Sequence, residues 1–196
     1  MPACGSAADT SQTTPAPQST PSPTPPPAPA TGVSARPAGV PTSTPDQRSP
    51  TRLVVPAAGL DVAVKPVGVA PDGQMKLPPD PSVIGWYRFG PAPGDAQGAV
   101  VLGGHLDSKQ YGAGPLVGLR RLQGGDRIAI RSSDGKTTTT TQYRVTKVQD
   151  IAKKTLPIDQ IFDRDGPSVL RIITCGGPYD PDRGYLDNLV VTATPN

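Results

Sequence analysis

Short runs of β-branched and other apolar residues recur along the chain from about residue 52 onward, and glycine, proline or aspartate separates each run from the next. Apolar runs bounded in this way are typical of β-strands. The two runs on either side of Ser133-Asp134-Gly135-Lys136 are expected to pair as a hairpin. The strands are predicted at 52–56, 60–69, 74–78, 83–90, 99–104, 126–132, 137–151, 168–175 and 187–194.

Helical periodicity is weak and short in this chain. The best candidate for a helix is 114–122, where Leu116, Leu119 and Leu122 recur at every third position. About eight short strands with regularly spaced turn signals favour a closed or nearly closed β-barrel over alternating α/β units. We therefore predict an all-β fold, a closed barrel of about eight strands with one or two short helices.

The first fifty residues differ in composition from the rest of the chain. They hold 13 of the 27 prolines, no aromatic residue and almost no bulky aliphatic residues. A segment of this composition buries too little apolar surface to offset the entropy of ordering it. Residues 1–50 are therefore predicted to be a disordered spacer rich in Pro, Ser, Thr and Ala, and residues 51–196 a single domain.

Composition and charge exclude several classes of function. The formal net charge is +3 and the basic residues of the domain are dispersed, so the chain lacks the cationic cluster and the aromatic platform of a nucleic-acid-binding protein. All 16 acidic residues are Asp, which excludes a glutamate base. With one His and two Cys a zinc site is not expected, and we predict neither a metal nor another cofactor.

The N-terminal segment bears on where the protein works. No apolar run is long enough to cross a bilayer. MPACGS, which contains Cys4, resembles a bacterial lipoprotein cleavage site whose hydrophobic signal is missing, and a chance Cys in a spacer is the alternative. A long spacer of this composition suits an extracellular domain held away from a surface. We therefore expect the protein at the extracellular face of the cell membrane, attached only through a missing or truncated N-terminal anchor.

Two reactive side chains lie where predicted strands end. His105, the only histidine, follows an apolar run, and Gly103 and Gly104 before it allow a tight turn or a close approach. Cys175, the only cysteine of the domain, ends the run SVLRIIT and is followed by paired glycines. The two strand ends could therefore meet at one rim of a barrel.

The chemistry of such a pair depends on the protonation of the thiol. A neighbouring imidazolium favours the thiolate, and the same ring can then protonate a leaving amine. Acyl transfer also needs a positive or hydrogen-bonding group over the developing oxyanion. The alternative for each residue is a structural role, as a small apolar thiol or as a histidine with satisfied hydrogen bonds.

The segments around these residues resemble the sortase family. IITCGG is similar to the family signature, in which a short hydrophobic strand and a Thr precede the nucleophilic Cys, and GGHLDS resembles the His segment. The order of His before Cys, 70 residues apart, also fits. VVLGGHLDS, GLRRLQGGDRI and GPYDPDRGYLDNLVV are similar to class F sortases of actinobacteria, and the resemblance covers about residues 52–194.

The resemblance implies a transpeptidase with a sortase-type barrel. Cys175 matches the nucleophile, His105 matches the family histidine, and Thr174 is expected to contact the substrate. The thiolate would attack the Thr–Gly carbonyl of a Leu-Pro-any-Thr-Gly-like sorting signal and form a thioacyl-enzyme. An amine acceptor, such as a cell-wall peptide, would then release the product at a Gram-positive cell surface.

The arginine of the family has no clear match. It often lies about a dozen residues beyond the cysteine, where Leu186 stands in this sequence and no residue is basic. Arg183, the only arginine after Cys175, lies in a loop rich in Gly and Asp that can bend back to the strand end, and we assign it to the oxyanion. Arg171, four residues before Cys175 in the same strand, is the alternative.

Two other classes of protein are alternatives. An L,D-transpeptidase would also be rich in β-strands and carry His and Cys, but the closely spaced His-Gly and Ser-any-Gly-Cys runs of that class do not occur here. A non-catalytic β-barrel binding module is the second alternative, and the reactivity of the Cys175 thiol distinguishes it from an enzyme. A disulfide between Cys4 and Cys175 is a further alternative for the thiol.

Overall fold

The computed structural model describes residues 48–196. The predicted spacer, residues 1–50, lies outside the described residues except for its last three positions, so its disorder and the domain boundary stay predictions. Among residues 48–196, no helix is long and apolar enough to cross a membrane.

Ten strands and four short helical segments form the described part of the chain. The helical segments are three 3₁₀ turns, Pro56–Ala58, Pro115–Arg121 and Lys153–Thr155, and one α-helix, α1 (Ile158–Ile161). The strands are β1 (Ser49–Val55), β2 (Leu60–Val67), β3 (Val83–Tyr87), β4 (Ala99–Gly103), β5 (Asp107–Ser108), β6 (Gly112–Ala113), β7 (Arg127–Ser133), β8 (Thr138–Ala152), β9 (Val169–Asp180) and β10 (Gly184–Pro195).

Eight of these strands close into a barrel, in the order β1-β2-β3-β4-β9-β10-β8-β7 and back to β1. Two neighbouring pairs, β2–β3 and β4–β9, run parallel, and the other pairs are antiparallel. Strands β5 and β6 pair with each other, separately from the barrel. The predicted all-β fold, a closed barrel with short helices, is confirmed.

The barrel encloses the main hydrophobic core. Alternate residues of each strand point inward, and Leu102 of β4 and Leu170 and Ile172 of β9 are fully buried there. A second, smaller cluster lies on the outer face of the same sheet, where Val101 of β4 packs near Ile161 of α1. The sheet formed by β4, β9 and β10 therefore separates an apolar interior from an outer face that is only partly covered.

The segment 74–78, predicted as a strand, is not one in the structure. Met75 makes a single isolated β-bridge, and no ladder follows. The two prolines after Leu77 lack the amide hydrogens that a ladder needs, so pairing stops there. The predicted helical segment at 114–122 is present as the 3₁₀ helix Pro115–Arg121.

The strand that carries Cys175 is longer than its sequence indicates. The glycines and proline after Cys175 predict a turn, but β9 continues to Asp180 and forms a hairpin with β10. Gly177 lies within this strand with φ of +70°, and the register shifts between Tyr185 and Asp187. An irregular hairpin therefore replaces the predicted turn beside Cys175.

Candidate active site

His105 follows β4 at the rim of the barrel. The backbone amide of Gly104 donates a hydrogen bond of 3.2 Å to the carbonyl of Ile173, which extends the β4–β9 ladder past the end of β4. Gly104 faces the interior, where a Cβ would come within 2.8 Å of Ile84 and 2.9 Å of Leu116 and would crowd the core. The next residue, His105, therefore faces outward, and it is partly exposed.

Cys175 lies on the outer face of β9. Leu170 and Ile172 are buried in the barrel, so the alternation of side chains directs Cys175 away from the core. Its thiol is free within residues 48–196 and is partly exposed. The alternative disulfide partner, Cys4, lies outside the described residues. The thiol of Cys175 is therefore accessible from the outer face.

The parallel register of β4 and β9 brings the two reactive side chains together. Gly103 pairs with Ile173; His105 lies two residues after Gly103, beyond the end of β4, and Cys175 lies two residues after Ile173 within β9. Neighbouring strands lie about 4.8 Å apart, and both side chains point to the outer face. Continued past the end of β4, this register implies that His105 and Cys175 lie at adjacent positions on one rim, and their catalytic roles stay predictions.

Thr174 lies on the opposite face of β9 from Cys175. It is 3% exposed, and its hydroxyl has no hydrogen-bond partner among the described residues. Because its side chain points into the barrel, only its backbone is within reach of a molecule on the outer face. A side-chain contact between Thr174 and substrate does not agree with this geometry, and the substrate-binding role stays a prediction.

Arg183 lies in the loop of the β9–β10 hairpin. Its guanidinium donates hydrogen bonds to Asp180 Oδ2 from Nη2 at 2.8 Å and from Nε at 3.2 Å. These bonds, together with the backbone amides of Arg183 and Asp182, hold the pKa of the Asp180 carboxyl below its usual value. Asp180 is five residues beyond Cys175, about 16 Å of extended strand. In this conformation the guanidinium of Arg183 is bound to Asp180, and its oxyanion role stays a prediction.

Arg171 lies on the same face of β9 as Cys175 but further from the rim. Its Nη1 donates a hydrogen bond of 3.0 Å to Oγ1 of Thr192, its partner on β10, and burial lowers the pKa of the guanidinium. With Lys147 and Gln160 it lines a cavity of about 390 Å³ beside α1. About 13 Å of strand separates Arg171 from Cys175, so this cavity is not the thiol site.

Two residues near the thiol were not found by the sequence analysis. Asn188 of β10 is the register partner of Cys175. Tyr185 donates its phenol hydrogen to Asp107 in the segment after His105. This hydrogen bond, then desolvation and the charges of Asp107 and Cys175, raise the pKa of Tyr185. Tyr185 therefore ties the segment after His105 to the hairpin after Cys175.

Asp150, an acidic residue of β8 next to Gly176, also has a local partner. Asp150 accepts hydrogen bonds from Nη1 and Nη2 of Arg120 at 3.1 and 3.3 Å. In the part of the chain that the structure describes, no group of three or more His, Cys or Asp residues could hold a metal ion. The outer face of the rim presents a thiol, an imidazole and an amide.

A thiol with an imidazole nearby is one pairing by which a cysteine nucleophile can be activated. The sortase domain family matches residues 53–196, and the chain belongs to this family of cysteine transpeptidases. Membership implies that the protein binds a sorting-signal substrate and an amine acceptor. Among curated protein sequences, none is similar enough to count as a relative.

Several solved sortase structures share the fold. Sortase C from Clostridium perfringens SM101 is 15% identical, with a TM-score of 0.53 over 74% of this chain and 68% of that chain. Sortase C-1 from Actinomyces oris is 21% identical, with a TM-score of 0.53 over 74% and 72% of the two chains. Sortase A from Listeria monocytogenes is 16% identical, with a TM-score of 0.54 over 77% and 88%. At these identities the likeness establishes the fold alone.

Proposed function

We propose that this sortase cleaves a Leu-Pro-any-Thr-Gly-like sorting signal between Thr and Gly and transfers the acyl group to an amine acceptor at the cell wall. In this proposal Cys175 is the nucleophile and His105 the proton-transfer partner. The observation that carries the proposal is the parallel register of β4 and β9, in which Gly103 pairs with Ile173 and His105 and Cys175 each follow two residues later in the chain.

The first half-reaction forms a thioester on Cys175. The thiolate attacks the carbonyl carbon of Thr in the signal, and the carbonyl π electrons move onto oxygen. The tetrahedral intermediate collapses when the C=O bond re-forms and the C–N bond to Gly breaks. His105, as the imidazolium, gives its proton to the departing nitrogen, which leaves as a neutral amine.

The second half-reaction returns the proton to His105. The neutral imidazole accepts a proton from the acceptor amine as the amine nitrogen attacks the thioester carbon. Collapse of the second tetrahedral intermediate expels the Cys175 thiolate and leaves a new amide bond. One amide is exchanged for another, and the enzyme ends with the thiolate and imidazolium with which it began.

An apolar surface beside the thiol supports a signal that begins with Leu and Pro. Ile173 lies two residues before Cys175 on the same face of β9, and Met75, Tyr87 and Leu156 belong to the same outer cluster. These side chains are only partly buried. Covering them with apolar peptide side chains would stabilise a complex by about 25 cal/mol for each Å² removed from water.

The segments around His105 and Cys175 support a place in class F. VVLGGHLDS and GPYDPDRGYLDNLVV are similar to the class F sortases of actinobacteria. The proposal also places the domain on the extracellular face of a Gram-positive membrane. The Pro/Ser/Thr/Ala-rich composition of the first fifty residues supports this location, because such segments hold extracellular domains away from a surface.

Incubating the full-length protein with a library of sorting-signal peptides and a triglycine acceptor tests the proposal. Mass spectrometry is expected to show peptides cut after Thr and joined to triglycine, and a thioacyl adduct on Cys175 when the acceptor is left out. Cys175→Ala should abolish both products while its melting temperature stays within about 2 °C of the parent. If Cys175→Ala cleaves the peptide at a rate near that of the parent protein, Cys175 is not the nucleophile.

The reactivity of the thiol distinguishes an enzyme from a binding module. Iodoacetamide should alkylate Cys175 at neutral pH faster than it alkylates a cysteine in an unstructured peptide, because in this proposal His105 activates the thiol as a nucleophile. His105→Ala should remove this advantage. A thiol no more reactive than the peptide, in a protein that cuts no library member, would identify a non-catalytic barrel.

A further inference from the structure

Asn188 lies directly across the β9–β10 ladder from Cys175. Side chains opposite each other in antiparallel strands have Cβ atoms about 4.5–5.5 Å apart. On the other side of Cys175, His105 occupies the neighbouring position after β4. The thiol therefore lies between the imidazole of the segment after β4 and the side-chain amide of β10.

Three observations show that Asn188 shares the outer face with Cys175. Leu189 belongs to the barrel core, so the residue before it points outward. Val190 and Thr192, two and four residues further along β10, line the outer cavity. Across the ladder to β8, Asn188 pairs with Ile151, which lines the same cavity. The side-chain amide of Asn188 is therefore on the face from which a substrate approaches the thiol.

The amide of Asn188 is available to such a substrate. The residue is partly exposed, and no described residue forms a hydrogen bond with its side chain. The guanidinium groups of the two candidate arginines are engaged elsewhere, that of Arg183 with Asp180 and that of Arg171 with Thr192. Along β9, Arg171 is about 13 Å from the thiol. The pairing of β9 with β10 instead places the side-chain amide of Asn188, a neutral hydrogen-bond donor, next to the sulfur of Cys175.

We propose that Nδ2 of Asn188 donates a hydrogen bond to the oxyanion that forms when Cys175 attacks a substrate carbonyl. This inference rests on the proposed acylation of Cys175 and adds the donor that the developing charge requires. The amide makes and breaks no covalent bond and keeps its protons. It stabilises the charge that moves onto oxygen in each tetrahedral intermediate, and removing one such donor from an acyl-transfer site costs about a hundredfold to a thousandfold in rate.

Two reactions of the same thiol separate an oxyanion donor from a residue that only supports the strand. Acylation by a sorting-signal peptide or by p-nitrophenyl acetate passes through an oxyanion, whereas alkylation by iodoacetamide displaces iodide at a saturated carbon and forms none. Asn188→Ala should slow both acylations by about a hundredfold or more. The peptide KM should stay within about threefold, and the alkylation rate within about twofold, because the thiolate is unchanged.

Two further variants control this comparison. Asn188→Gln keeps the carboxamide on a chain one methylene longer and should recover part of the acylation rate that Asn188→Ala loses. Asn196→Ala removes the other asparagine of the chain, whose side-chain oxygen accepts a hydrogen bond from Arg144. It should match the parent protein in both acylations and in alkylation.

The outcomes separate this inference from the proposed function. Acylation by Asn188→Ala within about fivefold of the parent rate, or alkylation slowed as much as acylation, would show that Asn188 is not the donor. If the parent protein cuts no sorting-signal peptide but its acylation by p-nitrophenyl acetate still depends on Asn188, the proposed substrate is wrong, whereas the role of Asn188 as the oxyanion donor is supported. If neither the sorting-signal peptide nor p-nitrophenyl acetate acylates Cys175, both the proposed function and the oxyanion role of Asn188 are wrong.

Discussion

At the scale of single residues, an ion pair holds the guanidinium of Arg183 next to the carboxylate of Asp180 at the end of the β9–β10 hairpin. Asp180 is the last residue of β9 and Arg183 lies in the short loop that follows, and the side chain of Arg183 is 65% exposed. The pKa of Asp180 is lowered first by the side chain of Arg183, so the carboxylate contributes stability above its ordinary pKa and loses it as pH falls through the folded value. Because solvent and salt screen an exposed pair, this contribution is small.

Arg183→Ala is expected to lower the rate of peptide acylation by less than about fivefold, because the guanidinium is held by Asp180 and not by the oxyanion. Stopped-flow measurement of thioacyl-enzyme formation checks this. Asp180→Asn is the control, and its stability difference from the parent should shrink as pH falls through the folded pKa of Asp180. A loss of about a hundredfold in Arg183→Ala, with an unchanged melting temperature, would assign the oxyanion to Arg183 instead of Asn188.

The sequence could single out some site residues and not others. His105 and Cys175 are each the only residue of their type in the domain, and each adjoins paired glycines at a strand end. Asn188 and Tyr185 are neither unique in residue type nor next to paired glycines, so no local sequence feature singles them out. Their positions depend on the hairpin register, and the bulge before Asp187 shifts that register in a way that local composition does not reveal. Pairing geometry, and not residue type, identifies them.

At the scale of elements, the β9–β10 hairpin shapes the site after the thiol. Gly177 has φ of +70°, in the left-handed region where other residues are strained. A Cβ on Gly177 would overlap the carboxylate of Asp187 and lie 2.7 Å from its Cβ. Gly184, at the start of β10, has a similar φ of +72°, but a Cβ added there would have no described atom within 4 Å. Both glycines therefore adopt a left-handed backbone conformation, but only at Gly177 would an added Cβ clash with a neighbouring side chain.

Gly177→Ala and Gly184→Ala form a matched pair that isolates this crowding. Gly184→Ala should lower the free energy of unfolding by about 1 kcal/mol, the cost of the left-handed conformation. Gly177→Ala should lower it by more and also slow acylation, because the strand must shift two residues from Cys175. Urea unfolding and acylation rates measure both effects. Equal destabilisation in the two variants would show that Asp187 does not crowd Gly177, whereas recovery in Gly177→Ala/Asp187→Ala would support the contact.

Apolar runs predicted most strands, because a run bounded by turn formers is a local signal. The segment 74–78 carried the same signal but forms no strand, since the prolines that follow leave no donors for a ladder. The opposite error occurs after Cys175, where Gly-Gly-Pro predicted a turn. Pairing with β10 overrides this local preference, and β9 continues to Asp180. Both errors arise where partner strands decide the outcome.

At the scale of the whole molecule, the site depends on strands that are far apart in sequence. The number of strands predicted a barrel, but their order could not be predicted from the pattern alone. β4 and β9 are separated in the chain by β5 to β8, yet they pair in parallel and bring His105 beside Cys175. Contacts of such long sequence separation carry no local signal, so the sequence could suggest only that the two strand ends meet.

Closure of the barrel by β1 gives the last prediction. β1 pairs with β2 on one side and β7 on the other, and Leu53 and Val55 are fully buried. Deleting residues 1–55 should abolish cooperative thermal unfolding. Each buried side chain contributes about 1.5–3 kcal/mol to a free energy of unfolding near 5–15 kcal/mol, and the edges of β2 and β7 lose their partner strand.

Deleting residues 1–47 keeps β1 whole. It should leave the melting temperature within about 2 °C and peptide acylation unchanged, because the composition of that segment predicts a spacer. Circular dichroism melts of both truncations check this, and a large loss of stability in the shorter deletion would show that the spacer packs on the domain.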